Sequence, residues 1–108
     1  TVAAVANNDN GIAGVAFGAK IQPVRVHGRV GGHDSDIAEA IVWASGGTVS
    51  GVSANATPAK VINLSLGGSG SCGSTFQNAI TGAVSRGSVV LIAAGNDNMN
   101  VSNASPAN

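Results

Sequence analysis

The sequence predicts an α/β fold, a parallel sheet laid down in the order strand, helix, strand, helix, strand (βαβαβ). Three observations carry that expectation. Short apolar or β-branched runs occur at 20–26, 60–66 and 88–94; two stretches with a 3.6-residue apolar period lie between them; and each run ends in a glycine-rich loop. Strands alternating with single helices at this spacing are joined by right-handed crossovers, which makes the strands parallel.

The first run, KIQPVRV at 20–26, reads as a strand closed by the turn-prone HGRVGGH. Beyond it Ile37, Ala40, Ile41 and Ala44 recur at i, i+3, i+4 and i+7. Ser35 stands in the N-cap position, with Asp36 and Glu39 in the first turn, where carboxylates meet the positive end of the helix dipole. Gly46 and Gly47 close that helix. The stretch TVSGVSANATPA, 48–59, is small, polar and aperiodic, the composition of a long surface loop. KVINLSL, 60–66, is the second strand. The second helix is expected to open at Ser74, whose S-x-x-Q spacing to Gln77 is a capping box, to bury Phe76, Ala79, Ile80, Ala83 and Val84, and to stop at Gly87. SVVLIAA, 88–94, is apolar on both faces, as a strand covered by helices on each side requires.

At 108 residues the chain is about one small domain. An apolar content of 44% with positive mean hydropathy is enough to build a core. Only 9% of residues are charged, five basic against five acidic, so there is no electrostatic footprint for nucleic acid or an anionic membrane. No apolar run approaches the roughly 18 to 20 residues of a membrane span, and TVAAVANND lacks the basic start of a signal peptide. Sixteen glycines beside many Ser, Asn and Ala suit the polar, uncharged surface of a secreted bacterial protein. A single cysteine, Cys72, excludes a disulfide within the chain: it is a free thiol, or its partner lies elsewhere.

All three strands end in loops suited to close backbone approach, GRVGG, SLGGSGS and AAGNDN, and ligands of parallel sheets bind at the carboxyl ends of strands. Two ligand classes fit bare backbone there. One is a nucleotide: Gly68, Gly70 and Gly73 match G-x-G-x-x-G, and Asp97 could stand as the ribose-binding acid. The expected helix, however, opens after the last glycine, too late for its N-terminal amides to face a pyrophosphate. The other ligand is an extended peptide, which pairs with bare backbone as an added strand.

In chain order, AAVANNDNGIAGVA (3–16), VINLSLGG (61–68) and VVLIAAGN (89–96) resemble three segments of the subtilisin-like serine proteases: the stretch after the catalytic-histidine helix, the substrate-binding strand and the oxyanion strand. The resemblance runs from Thr1 to about Pro106. It implies the central part of a subtilisin-like fold, with residues 1–108 forming a partial catalytic domain between the catalytic-histidine helix and the catalytic-serine region. It also implies a secreted serine endopeptidase that binds protein substrate as an extended strand.

Carried over by position, Asn96 falls where the family places its oxyanion-hole amide. Ser65, Leu66 and Gly67 resemble the backbone strip that pairs with substrate, and Gly31 and Gly32 its opposite wall. Ala94, Gly95 and Asp97 fall near the primary specificity pocket, whose small wall and acidic rim would admit large apolar or basic side chains; Asp97 also reads as an ordinary solvated turn residue. His33 and Asp34 occupy a region that often lines a more distant subsite, or simply a solvated loop. The loop at 3–14 resembles the family's strong calcium site, with the Asn8 side chain and the carbonyls of Val5, Asn10 and Ile12 as four oxygen ligands and the rest outside the chain; its plain alternative is an Asn-rich turn. For Cys72 the resemblance implies a partner cysteine within a few residues after Asn108, which would tie the loop after the substrate strand to the loop after the oxyanion strand.

The departures bear on function as much as the matches. The family's nucleophile motif (G-T-S-M-A type), its H-G-T-H and its D-[ST]-G are all missing, and His27 and His33 do not substitute for the base. The chain is expected to hold the oxyanion donor and the substrate strips without the triad, to need the remainder of the protease domain, and to be inactive alone. TVSGVSANATPA is longer than the corresponding stretch of the plain subtilisins and is expected as a surface elaboration; the N-x-[ST] sequons at Asn55, Asn63, Asn100 and Asn103 read as coincidence in an Asn/Ser-rich chain. A nucleotide-binding module and a catalytically inactive homologue remain the alternatives.

Overall fold

The apolar period of the two helical stretches and the alternation in two of the strands converge on one core. In the computed structural model, which describes residues 1–108, α1 (Asp34–Ala44) and β1 (Val61–Leu64) are followed by a short strand β2 (Gly68–Ser69), α2 (Ser74–Ser85), β3 (Val89–Ile92), a 3-10 turn at Val101–Asn103 and a short strand β4 (Ala104–Ser105). β1 and β3 pair in parallel, from Val61 opposite Val89 to Leu64 opposite Ile92, and β2 pairs antiparallel with β4. The α/β class and the parallel pairing of the second and third expected strands are as the sequence predicts. The core joins Ile37, Ala38, Ile41 and Ala44 of α1 and Phe76, Ala79 and Ala83 of α2 to Ile62 and Leu64 of β1, with Val90 and Ile92 of β3 packed against it.

Several local expectations are corrected. The run 20–26 has no regular secondary structure and joins no ladder. Pro23 lacks an N–H to donate, and an apolar cleft of about 180 Å³ separates Val24 and Val26 from Val61, Ile62 and Leu64. The N-cap of α1 is His33 rather than Ser35, and that of α2 is Gly73; neither helix has a side-chain cap. The Ser74–Gln77 capping box does not form, because Ser74 is already helical and the Gln77 amide turns forward to Thr81 Oγ1 at 3.1 Å. Ala38 is buried on α1 while Ala40 is only half-buried, and Val84 on α2 is exposed. β3 is covered on one face alone: Val89 and Leu91, with Val61 of β1, lie open on the other.

The stretch 48–59 is an irregular, mostly exposed loop, as expected, with one buried member. Asn55 within it is buried and reaches the C-terminal end of α1 from outside the helix. Its Nδ2 donates to the carbonyls of Trp43 and Ala44, both at 3.3 Å, and to Gln22 Oε1 at 3.1 Å, while its Oδ1 accepts from the Thr57 N–H at 2.9 Å. The two helix carbonyls are among those that α-helical geometry leaves without an intrahelical partner, and Asn55 shares them with the Gly46 and Ala59 N–H groups, at 3.0 and 2.8 Å. Trp43 Nε1 donates to the Ser53 carbonyl at 2.8 Å, which holds the same loop against the helix. At the ends of α1 and α2, Arg86 donates to Ser45 Oγ at 3.0 and 2.8 Å through Nε and Nη2, placing a cation where both helix dipoles are negative.

Asn55→Ala in the full-length protein is therefore expected to cost about 1 kcal/mol, the usual net worth of lost hydrogen bonds, because the Trp43 and Ala44 carbonyls keep the Gly46 and Ala59 N–H groups as donors. Asn55→Asp should cost at least as much, since a carboxylate would face the carbonyl oxygens that the amide now serves. Urea unfolding midpoints at constant m-value check both, and a wild-type midpoint for either variant would refute the capping role.

Candidate functional site

Parallel pairing brings the ends of β1 and β3 to the same edge of the sheet, and the loops that leave them form a cleft of about 300 Å³. Ser65, Leu66, Gly67 and Gly68 line one wall, and Ala93, Gly95, Asn96 and Asp97 the other. Ala93 N–H still reaches the Leu64 carbonyl at 3.0 Å, so the walls part immediately beyond the last ladder bond. Gly95 turns the chain at φ +89°, a left-handed conformation that glycine adopts without a steric penalty. Asn96 comes next, exposed, and its side-chain amide makes no hydrogen bond within the chain.

Of the residues expected at this site, the structure brings together Ser65, Leu66, Gly67, Gly95, Asn96 and Asp97. Ala94 does not line the cleft; its neighbour Ala93 does. Gly31 and Gly32 face the same Leu66–Gly68 strip from its other side, across a second cleft of about 340 Å³ that also takes in His27 and Asp34; His33 is not part of it. Gly31 sits at φ +100°, and a Cβ on Gly32 would run into the Val26 carbonyl oxygen and the His27 ring. A Cβ on Gly67 would approach the Ser105 carbonyl oxygen to 3.0 Å. Both Gly32 and Gly67 therefore sit where backbone runs close to backbone.

Sequence reasoning missed Gly68, Met99, Ala104 and Ser105, which also line the first cleft. The β2–β4 pair, Gly68 with Ser105 and Ser69 with Ala104, carries in Gly68, Ala104 and Ser105, while Met99 lies on the loop after β3. Strands of two residues have no periodicity to read. The same pairing removes the dinucleotide reading of the glycines: Gly68 is in the ladder and the Gly70 N–H is taken by the Asn103 carbonyl at 2.9 Å, so these glycines are committed to protein rather than arranged as a phosphate cradle.

Away from the clefts, Val5, Asn8, Asn10 and Ile12 lie on an exposed loop whose neck is closed by Gly14 N–H donating to the Ala4 carbonyl at 2.9 Å. Gly14 is buried, and a Cβ there would collide with the backbone of Ala4. Asn8 Oδ1 accepts from the Asn10 N–H at 3.3 Å, and Asn7, Asp9 and Gly11 are left-handed. No three His, Cys, Asp or Glu side chains gather into a metal cluster anywhere in the chain. Cys72 is exposed, with Gln77 Oε1 3.7 Å from its Sγ.

The comparisons identify the family. Residues 1–108 match the sequence model of the Subtilase family, Peptidase_S8. Similar relatives include an extracellular protease of Xanthomonas campestris pv. campestris, 69% identical over all of this chain and 19% of its own length, and an extracellular basic protease of Dichelobacter nodosus, 49% identical over 99% of this chain and 18% of its own. Among solved structures, one described as proteases from Pseudoalteromonas arctica superposes with a TM-score of 0.95 at 66% identity, over 98% of this chain and 31% of its own. The chain spans about a fifth of the length of these curated relatives. With a family match from the first residue to the last and a near-superposable relative, this chain belongs to the subtilase family.

Proposed function

We propose that the chain is the central part of the catalytic domain of a secreted serine endopeptidase, lying between the catalytic-histidine helix and the catalytic-serine region, and that it supplies the oxyanion donor and both substrate-binding strips. Its relatives named extracellular proteases support the activity and the secretion. The observation that carries the reading is the cleft in which the Ser65–Gly67 strip faces Asn96, an amide with no partner inside the chain. An extended substrate would lie between Ser65–Gly67 and Gly31–Gly32, paired to bare backbone as an added strand. Asn96 Nδ2 would then donate to the oxygen that gains charge in the tetrahedral intermediate. Gly95 and Asp97 border the space for the substrate side chain, and Asp97 at the rim favours a basic group there or tolerates a large apolar one. His33, the N-cap of α1, has no role in this reading, while Asp34, the first residue of α1, borders the second cleft rather than a solvated loop.

The catalytic Asp, His and Ser would come from the remainder of the domain, so the segment alone would be inactive. The unpaired run 20–26, the apolar cleft beside β1 and the open face at Val61, Val89 and Leu91 support docking of that remainder. So does the radius of gyration, 15.2 Å, against roughly 13 Å for a self-contained domain of this length.

We further propose that the Asn8 loop holds a structural calcium ion through Asn8 Oδ1 and the carbonyls of Val5, Asn10 and Ile12. A donor set made only of oxygen suits a hard cation, and the closed neck at Ala4 and Gly14 gathers these groups on one loop. The ion's contribution would be to lock the loop, with its remaining ligands from outside the chain. Cys72 is proposed to pair with a cysteine shortly after Asn108. Asn108 Nδ2 donates to the Gly70 carbonyl at 2.8 Å, so the chain at Asn108 runs alongside the Cys72 loop.

Three outcomes test these readings in the intact protein. Asn96→Leu should lower kcat with KM nearly unchanged, because the bond forms mainly in the transition state. The roughly 10²- to 10³-fold loss expected is the size known for an oxyanion-hole asparagine in a subtilisin. An unchanged kcat would remove Asn96 from the mechanism. Chelation should lower Tm, and Asn8→Ala should blunt that response, since an ion bound only to the folded state stabilises it by mass action; identical melting curves would leave a plain turn. Non-reducing peptide mapping should find Cys72 bridged to a cysteine just beyond Asn108, closing a loop of about 37 residues for roughly 3–4 kcal/mol in the chain-entropy model. A free Cys72 thiol would rule the bridge out.

A further inference from the structure

Among the asparagines of this chain, Asn10 alone precedes a glycine. Asn10 and Gly11 are both exposed, on the loop whose neck is closed by Ala4 and Gly14. The Asn10 N–H donates to Asn8 Oδ1, but neither the Asn10 side chain nor the Gly11 N–H takes part in a hydrogen bond within the chain. Gly11 has no Cβ to shield its nitrogen, and the space a Cβ would occupy is empty to 4 Å. A side-chain amide and the adjoining backbone nitrogen, both unengaged and separated by no bulk, are the reactants of an intramolecular cyclisation.

We propose that Asn10–Gly11 is a self-modification site at which the asparagine deamidates through a cyclic imide. The Gly11 nitrogen, on losing its proton to water or hydroxide, attacks Asn10 Cγ. The new bond is N–Cγ, the bond broken is Cγ–Nδ2, and the nitrogen leaves as ammonia. Water then opens the imide at one of its two carbonyls. Opening at Cγ gives aspartate on the original backbone. Opening at the main-chain carbonyl gives isoaspartate, whose backbone continues through the side-chain carbon. Each product adds one negative charge to the loop, and isoaspartate converts the Asn10 main-chain carbonyl to a carboxylate. Buried asparagines lack this freedom: Asn55 has its amide nitrogen committed to three acceptors.

The test is ageing of the full-length protein, its active serine blocked to prevent autolysis, with peptide mapping that separates aspartate from isoaspartate. Asn10 should convert ahead of every other asparagine of residues 1–108, with isoaspartate among the products and a rate that rises from mildly acidic to alkaline buffer. Gly11→Ala should slow the conversion about tenfold, equivalent to ~1.4 kcal/mol on the barrier, and Asn10→Gln should leave the segment unconverted over the same period. An Asn10 that stays intact while another asparagine of the segment converts would overturn the proposal. So would conversion to aspartate with no isoaspartate, or an unchanged rate in Gly11→Ala, because each means that the Gly11 nitrogen is not the nucleophile.

Discussion

The parallel register between β1 and β3 is the constraint on which the rest depends. Leu64 opposite Ile92 fixes where both strands stop, and that level fixes where Ser65–Gly67 and Gly95–Asp97 begin to part. A slip of one residue would turn Ile62 and Leu64 onto the uncovered face and present Asn63 to the helices. The register is secured before the strands start. Ser88 Oγ donates to the Ala59 carbonyl at 2.7 Å and Val89 N–H to the Lys60 carbonyl at 2.9 Å, while Ala59 N–H is itself held by the last carbonyl of α1. The cleft is thus set by contacts at the opposite end of the sheet, and the helix ends, Asn55 and the loop 48–59 belong to the same scaffold.

The elements legible in the sequence are those whose signal repeats. The apolar period found both helices to within a residue or two, and the β-branched runs found β1 and β3, because burial against a common core writes the same spacing several times over. Single-residue signals fared worse. Ser35 and Ser74 have the chemistry of N-caps, yet both are already helical, and the caps are His33 and Gly73, where the backbone is still extended. A cap depends on φ and ψ at one residue, and composition does not report that. The run 20–26 has strand composition without a strand's hydrogen bonds, since pairing is a property of two segments and the sequence of one cannot supply the other.

The candidate site divides along the same line. Ser65–Gly67 and Gly95–Asp97 were legible because each comes directly after a strand, so knowing the sheet locates them. Ala104 and Ser105 were not, because they reach the cleft through a two-residue antiparallel pair whose members, Gly68 and Ser105 among them, lie far apart along the chain. Asn55 was hidden for the opposite reason. Its neighbours are small and polar, so the segment looks solvated, while its amide works at the end of a helix that stopped at Ala44.

Three asparagines show how partner count separates roles that residue type alone does not. Asn55 has both ends of its amide engaged and the whole side chain buried, so it is a structural bolt whose nitrogen has nothing left to offer a ligand. Asn96 has none of its amide engaged and stands in a cleft beside bare backbone, as the donor role proposed for it requires. Asn10 has its side chain equally unengaged but is exposed on a loop that lines neither cleft, next to a glycine nitrogen that is also unengaged. An idle amide in a preorganised cleft is stored binding capacity, since hydrogen-bonding partners inside the chain would have to be broken before it could serve a transition state. The same idleness in an exposed, glycine-flanked loop has no substrate to meet, and the nearest reactive group is the chain's own backbone.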